Sequence, residues 1–506
     1  MGRFAAVAVL LLGSCASPSA GPSARPPNIV LILADDLGYG DVGCYNPESK
    51  VLTPHLDRLG AQGVRLVDAH SPSTVCTPSR YSILTGRMCF RNGFKGVFTG
   101  VDGPLLEPGR LTIAQLLRRK GYATSFVGKW HVGMTFFKAD GTPVAPRGGG
   151  VDKVRQVDFS RPVKDGPLDA GFDSFFGTVC CPTTDWLYAY IDGDRVTQAP
   201  TELVRPRGGE WTDYEHFRAG LKAPDFDFRK VDLVFLEKSL AFLERQRPDR
   251  PFFLFHSAQA VHLPALPDER FVGKTKAGPL GDFIFEFDHV VGELVGALDR
   301  LGLGENTLVV VTSDNGPEVV LTRLREDFGH DSARPWRGMK RDNWEGGHRV
   351  PFLARWPGRI PAGTVSGETV CLTDLFATFA SAAGAEIPSD AAEDSADILP
   401  VLLGKAGGRP VREYTLHQTI SNELAIRSGP WKYLDHRGSG GNRYDGPALR
   451  KYALPETDPA AAAQLYHLGD DPGETRNVIG RNPEVAARLK ERLEQFKSSG
   501  RSVERR

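Results

Sequence analysis

Three stretches of the chain are apolar at almost every position over the length of one strand. They are residues 28–34, 251–256 and 307–312, with the sequences NIVLILA, PFFLFH and TLVVVT. A strand that is buried on both faces of a parallel sheet has this unbroken pattern, whereas a half-exposed strand alternates apolar and polar residues. Residues 123–127 form a shorter run of the same kind. The pattern predicts four buried strands of one sheet.

Helical patterns lie between these runs. Thr53 followed by Pro54 opens a helix through residue 62, because a capping residue followed by proline suits a first helical turn. Gly121 ends a helix over residues 111–120, and further patterns cover 79–84, 231–246 and 283–301. Strands that alternate with helices predict an α/β fold, with a large mixed, mostly parallel sheet flanked by helices.

The pattern changes in two other parts of the chain. Residues 135–225 are rich in glycine, proline and charge, and we interpret them as long insertions over one face, where substrate contacts often lie. Beyond about residue 405, short strand-like pieces at 424–426, 431–434 and 464–468 precede a final helix at 483–497. We therefore predict a main domain over 28–405 and a small C-terminal α+β domain over 406–506, with an antiparallel sheet and a terminal helix.

The composition argues against two kinds of binding partner. The 506 residues contain 62 Lys and Arg and 62 Asp and Glu, so the formal net charge is zero. A balanced chain gives no electrostatic reason to expect binding to nucleic acid or to an acidic membrane surface. Any anion that the protein binds must be held by a local site.

Residues 1–27 resemble a targeting segment and a low-complexity linker. Arg3 precedes the short apolar run 4–12, and a Leu-Gly-Ser-Cys sequence ends at Cys15. The run is too short for a transmembrane helix. It predicts export to the periplasm or cell surface, with Cys15 as a lipidated residue and the only membrane anchor. An ordinary secretory peptide and a misassigned start are the alternatives.

The cysteines do not form a metal-binding or disulfide-rich pattern. Seven occur, at positions 15, 44, 76, 89, 180, 181 and 371. The adjacent Cys180 and Cys181 are compatible with disulfide pairing and equally with buried free thiols. The sequence leaves both interpretations open.

Polar side chains follow each of the four predicted strands. The groups are Asp35 with Asp36, Lys129 with His131, His256 with His262, and Asp314 with Asn315. In parallel α/β sheets, ligands bind beyond the carboxyl ends of the strands, so these groups are expected to meet at one edge. The acids offer only oxygen ligands, which suits Ca²⁺ or Mg²⁺ better than zinc. The alternative for each Asp is that it caps the next helix.

Cys76 stands just before a predicted helix, and Arg80 follows one turn later on the same side. A helix N-terminus favours an anion. The motif Cys76-Thr77-Pro78-Ser79-Arg80, followed by Leu-Thr-Gly-Arg at 84–87, resembles the formylglycine signature of type I, arylsulfatase-like sulfatases of the alkaline-phosphatase-like superfamily. Further blocks similar to that family lie at 34–38, 53–59, 68–70, 128–131, 313–316, 337–340, 345–351 and 465–477.

The resemblance implies a nucleophile and a cofactor. Cys76 would be oxidised to formylglycine by a maturation enzyme, and one hydroxyl of the hydrated aldehyde would attack sulfur. One calcium ion, with magnesium the less favoured alternative, would be bound by Asp35, Asp36, Asp314, Asn315 and the oxygen on residue 76.

The resemblance also implies roles for the basic residues. Arg80, Lys129 and Lys340 would hold the sulfate oxygens, and His131 would contact the diol. His262 would protonate the leaving oxygen. The family usually has proline directly before that histidine, where this chain has Val261, so His256 remains a weaker rival.

These implications predict a sulfuric ester hydrolase that removes sulfate from sulfated carbohydrates, with aryl sulfates as further substrates. The alternatives are a phosphoester or phosphonate monoester hydrolase of the same superfamily, and a binding protein without activity. His330, Trp336 and His348 lie near the same blocks and are interpreted either as pocket-lining or as packing residues. Residues 180–186 are expected on the substrate side, without an assigned role.

Overall fold

The structure is a computed structural model that describes residues 2, 25–209, 212–247 and 249–504. Cys15 and the apolar run before it lie outside the described residues, so export and lipidation remain predictions. Within the described ranges, no helix combines the length and apolarity that a bilayer crossing requires.

The described strands are numbered in chain order. They are β1 (Asn28–Ala34), β2 (Val64–Leu66), β3 (Ala69–His70), β4 (Ala123–Lys129), β5 (Ser174–Thr178), β6 (Leu187–Tyr188), β7 (Ile191–Asp192), β8 (Arg195–Val196), β9 (Glu202–Val204), β10 (Gly220–Lys222), β11 (Phe252–Ser257), β12 (Thr307–Ser313), β13 (Phe352–Arg355), β14 (Thr364–Ser366), β15 (Val370–Cys371), β16 (Thr415–Gln418), β17 (Leu424–Ser428), β18 (Trp431–Leu434) and β19 (Gln464–His467).

The α-helices are numbered in the same way. They are α1 (Pro54–Gln62), α2 (Cys76–Thr85), α3 (Ile113–Arg119), α4 (Gly150–Val154), α5 (Val231–Glu244), α6 (Gly278–Arg300), α7 (Leu321–Phe328), α8 (Glu345–His348), α9 (Asp374–Ala382), α10 (Leu399–Leu402) and α11 (Pro483–Ser498). The helices predicted from the sequence are present, and their ends differ from the predicted ones by a few residues. The largest shifts are in α2, which begins at Cys76 rather than Ser79, and in α6, which begins at Gly278.

A ten-stranded sheet forms the centre of the molecule, in the order β14-β2-β13-β12-β1-β11-β4-β5-β7-β8. The five strands from β12 to β5 are parallel, whereas β13 and β7 run antiparallel to their neighbours. Helices α1, α5 and α6 form one packed group, and α2, α3 and α9 form another. The mixed, mostly parallel sheet with flanking helices confirms the predicted fold class.

Strand β5 was not predicted, although it pairs in parallel with β4 inside the main sheet. It lies in the glycine- and proline-rich region that we interpreted as insertions. Its sequence SFFGT is short and ends in Gly-Thr, so it lacks the unbroken apolar run of the other central strands. The remaining strands of that region include a small three-stranded sheet, β6-β10-β9, which agrees with an insertion beside the main sheet.

The C-terminal part forms a separate four-stranded antiparallel sheet, β16-β17-β18-β19. Helix α11 packs against β17 and β18, and its buried leucines Leu489 and Leu493 share a core with Ile426 and Leu465. The smaller α+β unit is therefore present. The boundary at residue 405 stays a prediction, because the sheet itself begins at Thr415.

Candidate active site

Four parallel strands bring the predicted site residues to one edge of the sheet. Strand β1 pairs with β12 so that Ala34 lies beside Ser313, and with β11 so that Leu33 lies beside Ser257. Strand β11 pairs with β4 so that Ser257 lies beside Gly128. Since the strands end level with one another, the residues that follow them emerge at the same place, as the sequence predicted.

Gly128 allows this close approach beside Lys129. Its φ is 117°, a region that side-chain-bearing residues rarely adopt, and a Cβ at this position would collide with the carbonyl oxygen of Ser257. Glycine therefore lets β4 and β11 end close together, and it places the next residue, Lys129, among the acids that follow β1.

Asp35, Cys76 and Asp314 meet at the centre of the pocket. Their carboxylate oxygens and thiol sulfur all lie within 4.8 Å of one another, and the three side chains are buried. A second group of the same kind consists of Asp35, Asp36 and His262. Residues that are separated by up to 279 positions thus form one cluster, as Asn315 shows by donating from Nδ2 to Asp36 Oδ1 at 2.7 Å.

Each central acid has a basic partner. Arg80 donates from Nε to Asp314 Oδ2 at 2.8 Å, and Lys129 donates to Asp35 Oδ2. Lys340 Nζ lies 2.8 Å from Asp36 Oδ2 and 3.4 Å from Glu318 Oε2. Arg341 completes the set by pairing with Glu318. Four carboxylates and four cations therefore share a buried volume, in which the carboxylates hold the cations in place to contact an anionic substrate.

The two adjacent aspartates have opposite shifts in pKa. Burial alone would raise the pKa of Asp35, but Lys129, His262 and Arg80 hold it well below its usual range. Burial raises the pKa of Asp36 to about 6, although Lys340 and His262 oppose the shift. The difference arises because Asp35 faces more positive charge than Asp36, and two neighbouring carboxylates disfavour double ionisation.

The donor set fits a hard cation. Asp35 Oδ1 and Asn315 Oδ1 are buried oxygens without a hydrogen-bond donor, and each such orphaned acceptor costs about 1–3 kcal/mol unless something else satisfies it. Both belong to the predicted ligands. Oxygen atoms from Asp35, Asp36, Asp314 and Asn315 are the ligand type that Ca²⁺ and Mg²⁺ prefer.

Helix α2 supplies the other side of the pocket. Val75 is extended, with φ −148° and ψ 154°, and the helix begins at Cys76. All ten of its residues are buried, so its first amide groups point into the protein rather than into solvent. Arg80 lies one turn later, and its Nη2 has no hydrogen-bond partner. The helix start and this guanidinium offer donors to an anion.

Two histidines line the same pocket. His262 Nε2 lies 3.8 Å from Asp36 Oδ2, and burial lowers the pKa of His262 to about 4. His131 Nε2 lies 3.0 Å from the carbonyl oxygen of Phe98, and its Nδ1 is buried without a partner. An imidazole in this position can exchange a proton with a reacting group.

His256, the weaker rival of His262, does not belong to this cluster. It lies on β11 one residue before Ser257, whose hydroxyl contacts Arg80. Neighbouring strand residues point to opposite faces, so the His256 ring points away and lies 2.8 Å from Ser239 Oγ on α5. Burial lowers its pKa to about 3.

The other three aromatic candidates make packing contacts. His330 Nε2 lies 2.8 Å from Asp41 Oδ1. The guanidinium of Arg349 stacks on Trp336, and its central carbon lies 3.9 Å from the centroid of the tryptophan ring. His348 stacks on His417 at 3.7 Å between centroids. Of the two interpretations of these residues, the contacts favour packing over a role in the pocket lining.

Some residues of the pocket were not predicted from the sequence. Ser257 binds Arg80, Glu318 pairs with Lys340 and Arg341, and Cys181 lies near both pocket histidines. Cys181 belongs to residues 180–186, which the sequence predicted to lie on the substrate side but to which it assigned no role. Glu318 follows the Asp314 block by a few residues, which was the only local signal for it. The six described cysteines are free thiols.

The fold and the pocket together define an alkaline-phosphatase-like hydrolase, in which one edge of a mostly parallel sheet carries the acids and the cations. The particular family follows from the sequence, since residues 27–385 match the family model described as Sulfatase. This chain belongs to the sulfatase family, whose members are sulfuric ester hydrolases.

Individual relatives of the chain are also named as sulfatases. The chain is 32% identical to an N-acetylgalactosamine-6-O-sulfatase of Bacteroides thetaiotaomicron, in an alignment that covers 94% of each chain. It is 35% identical to arylsulfatase A of Homo sapiens, with 92% of this chain and 87% of that protein covered. It is 33% identical to the steryl-sulfatase of Mus musculus, with 98% and 85% covered.

Solved structures share the whole architecture. One comes from work on the metabolism of multiple glycosaminoglycans by Bacteroides thetaiotaomicron and has a TM-score of 0.78 at 30% identity, covering 94% of this chain and 100% of that chain. A Pseudoalteromonas sulfatase has a TM-score of 0.70 at 26% identity, covering 95% and 92%. The similarity therefore extends over the catalytic sheet and the smaller C-terminal sheet.

Proposed function

We propose that this sulfatase removes sulfate from sulfated carbohydrates with a formylglycine-hydrate nucleophile made from Cys76 and with one bound calcium ion. The observation that carries the proposal is the meeting of Asp35, Cys76 and Asp314 within 4.8 Å, surrounded by Arg80, Lys129 and Lys340. A pocket that combines oxygen ligands, a modifiable nucleophile position and three cations suits an ester with an anionic head group.

Conversion of Cys76 gives the pocket a nucleophile that can be regenerated. One hydroxyl of the hydrated aldehyde attacks sulfur, and the S–O bond to the carbohydrate oxygen breaks. The second hydroxyl then loses its proton, the C=O double bond reforms, and sulfate leaves from carbon. A serine at this position would remain as a stable sulfate ester. The reaction is covalent catalysis that replaces one difficult step by two easier ones.

The cation site has a separate role. Asp35, Asp36, Asp314 and Asn315 would hold the ion, and the two orphaned oxygens of Asp35 and Asn315 support this assignment. When bound, a divalent ion supplies positive charge that polarises the nucleophile and the sulfuryl oxygens. Calcium fits better than magnesium, because it tolerates an irregular set of six to eight protein oxygens.

The basic side chains and the histidines complete the proposal. Arg80, Lys129 and Lys340 hold the sulfate oxygens while negative charge develops on them. His262, beside Asp36, is placed to protonate the leaving oxygen, and His131 is placed to contact the hydroxyl groups on residue 76. The roles are assigned by position and chemistry, and each can be tested by substitution.

The substrate class rests on the relatives. The Bacteroides thetaiotaomicron relative is named an N-acetylgalactosamine-6-O-sulfatase, and the structure at 30% identity comes from work on glycosaminoglycans. We infer that this chain acts on sulfated amino sugars or on glycosaminoglycan fragments that carry them. The insertion region beside the pocket, which includes the sheet β6-β10-β9, offers the surface for the sugar.

A substrate panel tests the proposal. The matured protein would be assayed with an aryl sulfate, an aryl phosphate, an aryl phosphonate and N-acetylgalactosamine 6-sulfate, with and without prior removal of calcium. The expected result is hydrolysis of both sulfates and loss of turnover after chelation. Phosphate or phosphonate turned over faster than sulfate by orders of magnitude would favour the alternative hydrolase of the same superfamily and overturn the proposal.

We also propose that the protein is exported and lipidated at Cys15. The proposal rests on Arg3, the apolar run 4–12 and the Leu-Gly-Ser-Cys sequence. Labelling with a fatty-acid analogue in the native host should tag the wild-type chain, whereas Cys15→Ser should remain untagged. A tag on both proteins or on neither would contradict lipidation at this residue.

A further inference from the structure

A second thiol lies beside the nucleophile position. Cys181 follows β5, and its Sγ lies 3.8 Å from His262 Nε2 and 4.0 Å from His131 Nε2. The thiols of Cys76 and Cys181 are neighbours, close enough for each to affect the pKa of the other. Neither the proposed hydrolysis nor the cation site uses Cys181, so the pocket contains a reactive group without an assigned purpose.

The two sulfurs differ in access. Cys76 is 2% exposed and Cys181 is 8% exposed, so Cys181 is the slightly more accessible residue. Cys181 is placed by a short loop after β5, whereas Cys76 is the first residue of the buried helix α2. The more accessible cysteine therefore lies in a loop, next to a less accessible one at the start of a helix.

We infer that Cys181 captures Cys76 in a disulfide whenever Cys76 has not been converted to formylglycine. The cross-link joins the nucleophile position to the loop after β5 and closes the centre of the pocket. The disulfide itself depends only on the contact between the two thiols. Its consequence, a reversible lock on unconverted enzyme, rests on the proposed function of Cys76.

A small-molecule disulfide can serve as the oxidant that forms this cross-link. The sulfur of Cys181 attacks one sulfur of a small-molecule disulfide, such as glutathione disulfide, and a first thiol leaves. The sulfur of Cys76 then attacks Cys181 Sγ, the mixed disulfide breaks, and a second thiol leaves. The two cysteines lose two electrons and two protons, which the oxidant takes up as it is reduced to two thiols.

Intramolecular contact favours this second step over further mixed disulfides. Two thiols that lie side by side in one pocket have an effective concentration far above that of a dissolved competitor. In an oxidising compartment such as the one predicted from the N-terminal segment, disulfides persist. A chain that leaves the cell unconverted would therefore be held in the locked form.

The adjacent Cys180 offers a matched control. It is buried like Cys181, but its acidic neighbours are Asp185 and Asp102. Substituting Cys180 changes a buried thiol in the same loop without removing the sulfur that contacts Cys76. Cys180→Ser and Cys181→Ser therefore separate a specific cross-link from a general effect on the loop.

The test uses the full chain, produced in a host without formylglycine-generating activity, so that Cys76 remains a cysteine. The folded protein is equilibrated with glutathione disulfide, free thiols are alkylated, and the non-reduced tryptic digest is read by mass spectrometry. The expected species joins the peptide 66–80 to the peptide 165–195. Alkylation of Cys76 should be at least about tenfold lower in wild type and Cys180→Ser than in Cys181→Ser.

Three outcomes would overturn the inference. They are full alkylation of Cys76 in the treated wild type, a stable glutathione adduct without the cross-link, and a cross-link that persists in Cys181→Ser through Cys180. Thermal unfolding checks that each variant folds, and Cys181→Ala replaces a serine variant that does not. None of these readouts uses sulfatase activity, so failure of the cross-link and failure of the proposed function remain distinguishable.

Discussion

Two buried regions of this sulfatase are rich in charge, and they differ in how that charge is satisfied. The catalytic pocket leaves two acceptors, Asp35 Oδ1 and Asn315 Oδ1, without donors. The second region, which we name the histidine cluster, pairs its acids with nearby cations. Its members are Asp68, His70, Glu345, His348, His417, Arg427 and Lys432, all of them buried.

The histidine cluster connects the C-terminal sheet to the main body. Lys432 on β18 lies 3.0 Å from Glu345 Oε1 and 3.0 Å from His348 Nε2. His348 Nδ1 in turn lies 3.0 Å from His70 Nδ1. His70 Nε2 lies 2.8 Å from Asp68 Oδ1 and 3.0 Å from Arg427 Nη1. This chain of contacts links β17 and β18 to Asp68 and Glu345.

Burial lowers the pKa of His70, His348 and His417 in this cluster. Nearby cations add to the effect, and Glu345 opposes it. Asp68 and Glu345 thus have partners within the cluster, where His417 Nε2 is a buried atom without a hydrogen bond, whereas the unpartnered atoms of Asp35 and Asn315 in the pocket are oxygens. The comparison teaches that unpartnered oxygen acceptors indicate a site for a hard cation better than buried charge alone does.

The largest expected effect comes from removing the nucleophile position. Cys76→Ala should lower turnover of an aryl sulfate by roughly 10⁴-fold or more, because in the proposed mechanism the hydrate on residue 76 makes the covalent bond to sulfur. The unfolding midpoint should change little. Cys89→Ala, a buried cysteine elsewhere, is the control and should retain turnover. Activity near wild type in Cys76→Ala would end the proposed mechanism.

The cation site should give the next largest effect. Asp314→Ala should lower turnover by roughly a thousandfold and remove calcium from the purified protein, measured by elemental analysis. The exposed Asp299, which pairs with Arg355, provides the control Asp299→Ala. Undiminished calcium content in Asp314→Ala would show that the metal ligands are assigned wrongly.

The histidine cluster should respond in the opposite way. Lys432→Met leaves Glu474 buried without its cation and removes one of the cations beside Glu345, which keeps Arg349. The change should reduce the free energy of unfolding by about 3–5 kcal/mol. Turnover of the fraction that folds should fall much less than in Asp314→Ala. Urea denaturation gives the stability, with the exposed Lys451→Met as the control. Wild-type stability in Lys432→Met would remove the distinction between the two regions.

A pH profile should reveal the smallest effect. Asp232 accepts hydrogen bonds from the amides of Gln259 and Ala260, in the loop that leads to His262. Burial raises the pKa of Asp232 from 3.8 to about 7. Between those values the folded state binds a proton that the unfolded state has lost. The Asp232 contribution is therefore present below pH 4 and disappears as the pH rises through 7.

The measurement compares Asp232→Asn with wild type by urea denaturation at pH 4.5 and 7.5. The asparagine does not ionise, so the loss of stability between the two pH values should be smaller in the variant, by up to about 3 kcal/mol. Parallel pH profiles for the two proteins would show that Asp232 titrates normally.

Much of the pocket could be predicted, because a strand that is buried on both faces of a sheet has an unbroken run of apolar residues. Residues 28–34 and 307–312 showed the strands, and Asp35 and Asp314 were found because ligands gather where parallel strands end. Strand alternation alone could not decide between the two histidines. It excludes His256 only once the structure shows that the neighbouring Ser257 points toward Arg80.

The remaining parts have no local signal. Cys181 and Glu318 approach the pocket from loops, and no fixed spacing relates them to Cys76 or Asp36. Strand β5 is held by its pairing with β4, a long-range contact that overrides its weak pattern. The histidine cluster brings β16, β17 and β18 against Asp68 and Glu345, and its members appear in the sequence as unrelated charges.

Asp36 and His131 both have left-handed backbone conformations, with φ of 64° and 58°. Aspartate and histidine tolerate this region better than most residues, yet each position still costs roughly 1 kcal/mol relative to glycine. A redesign guided by thermal stability would therefore choose glycine at both sites. The resulting protein would be more stable, but it would lack the acid and the imidazole of the pocket. Stability and catalysis therefore favour different residues at these two positions.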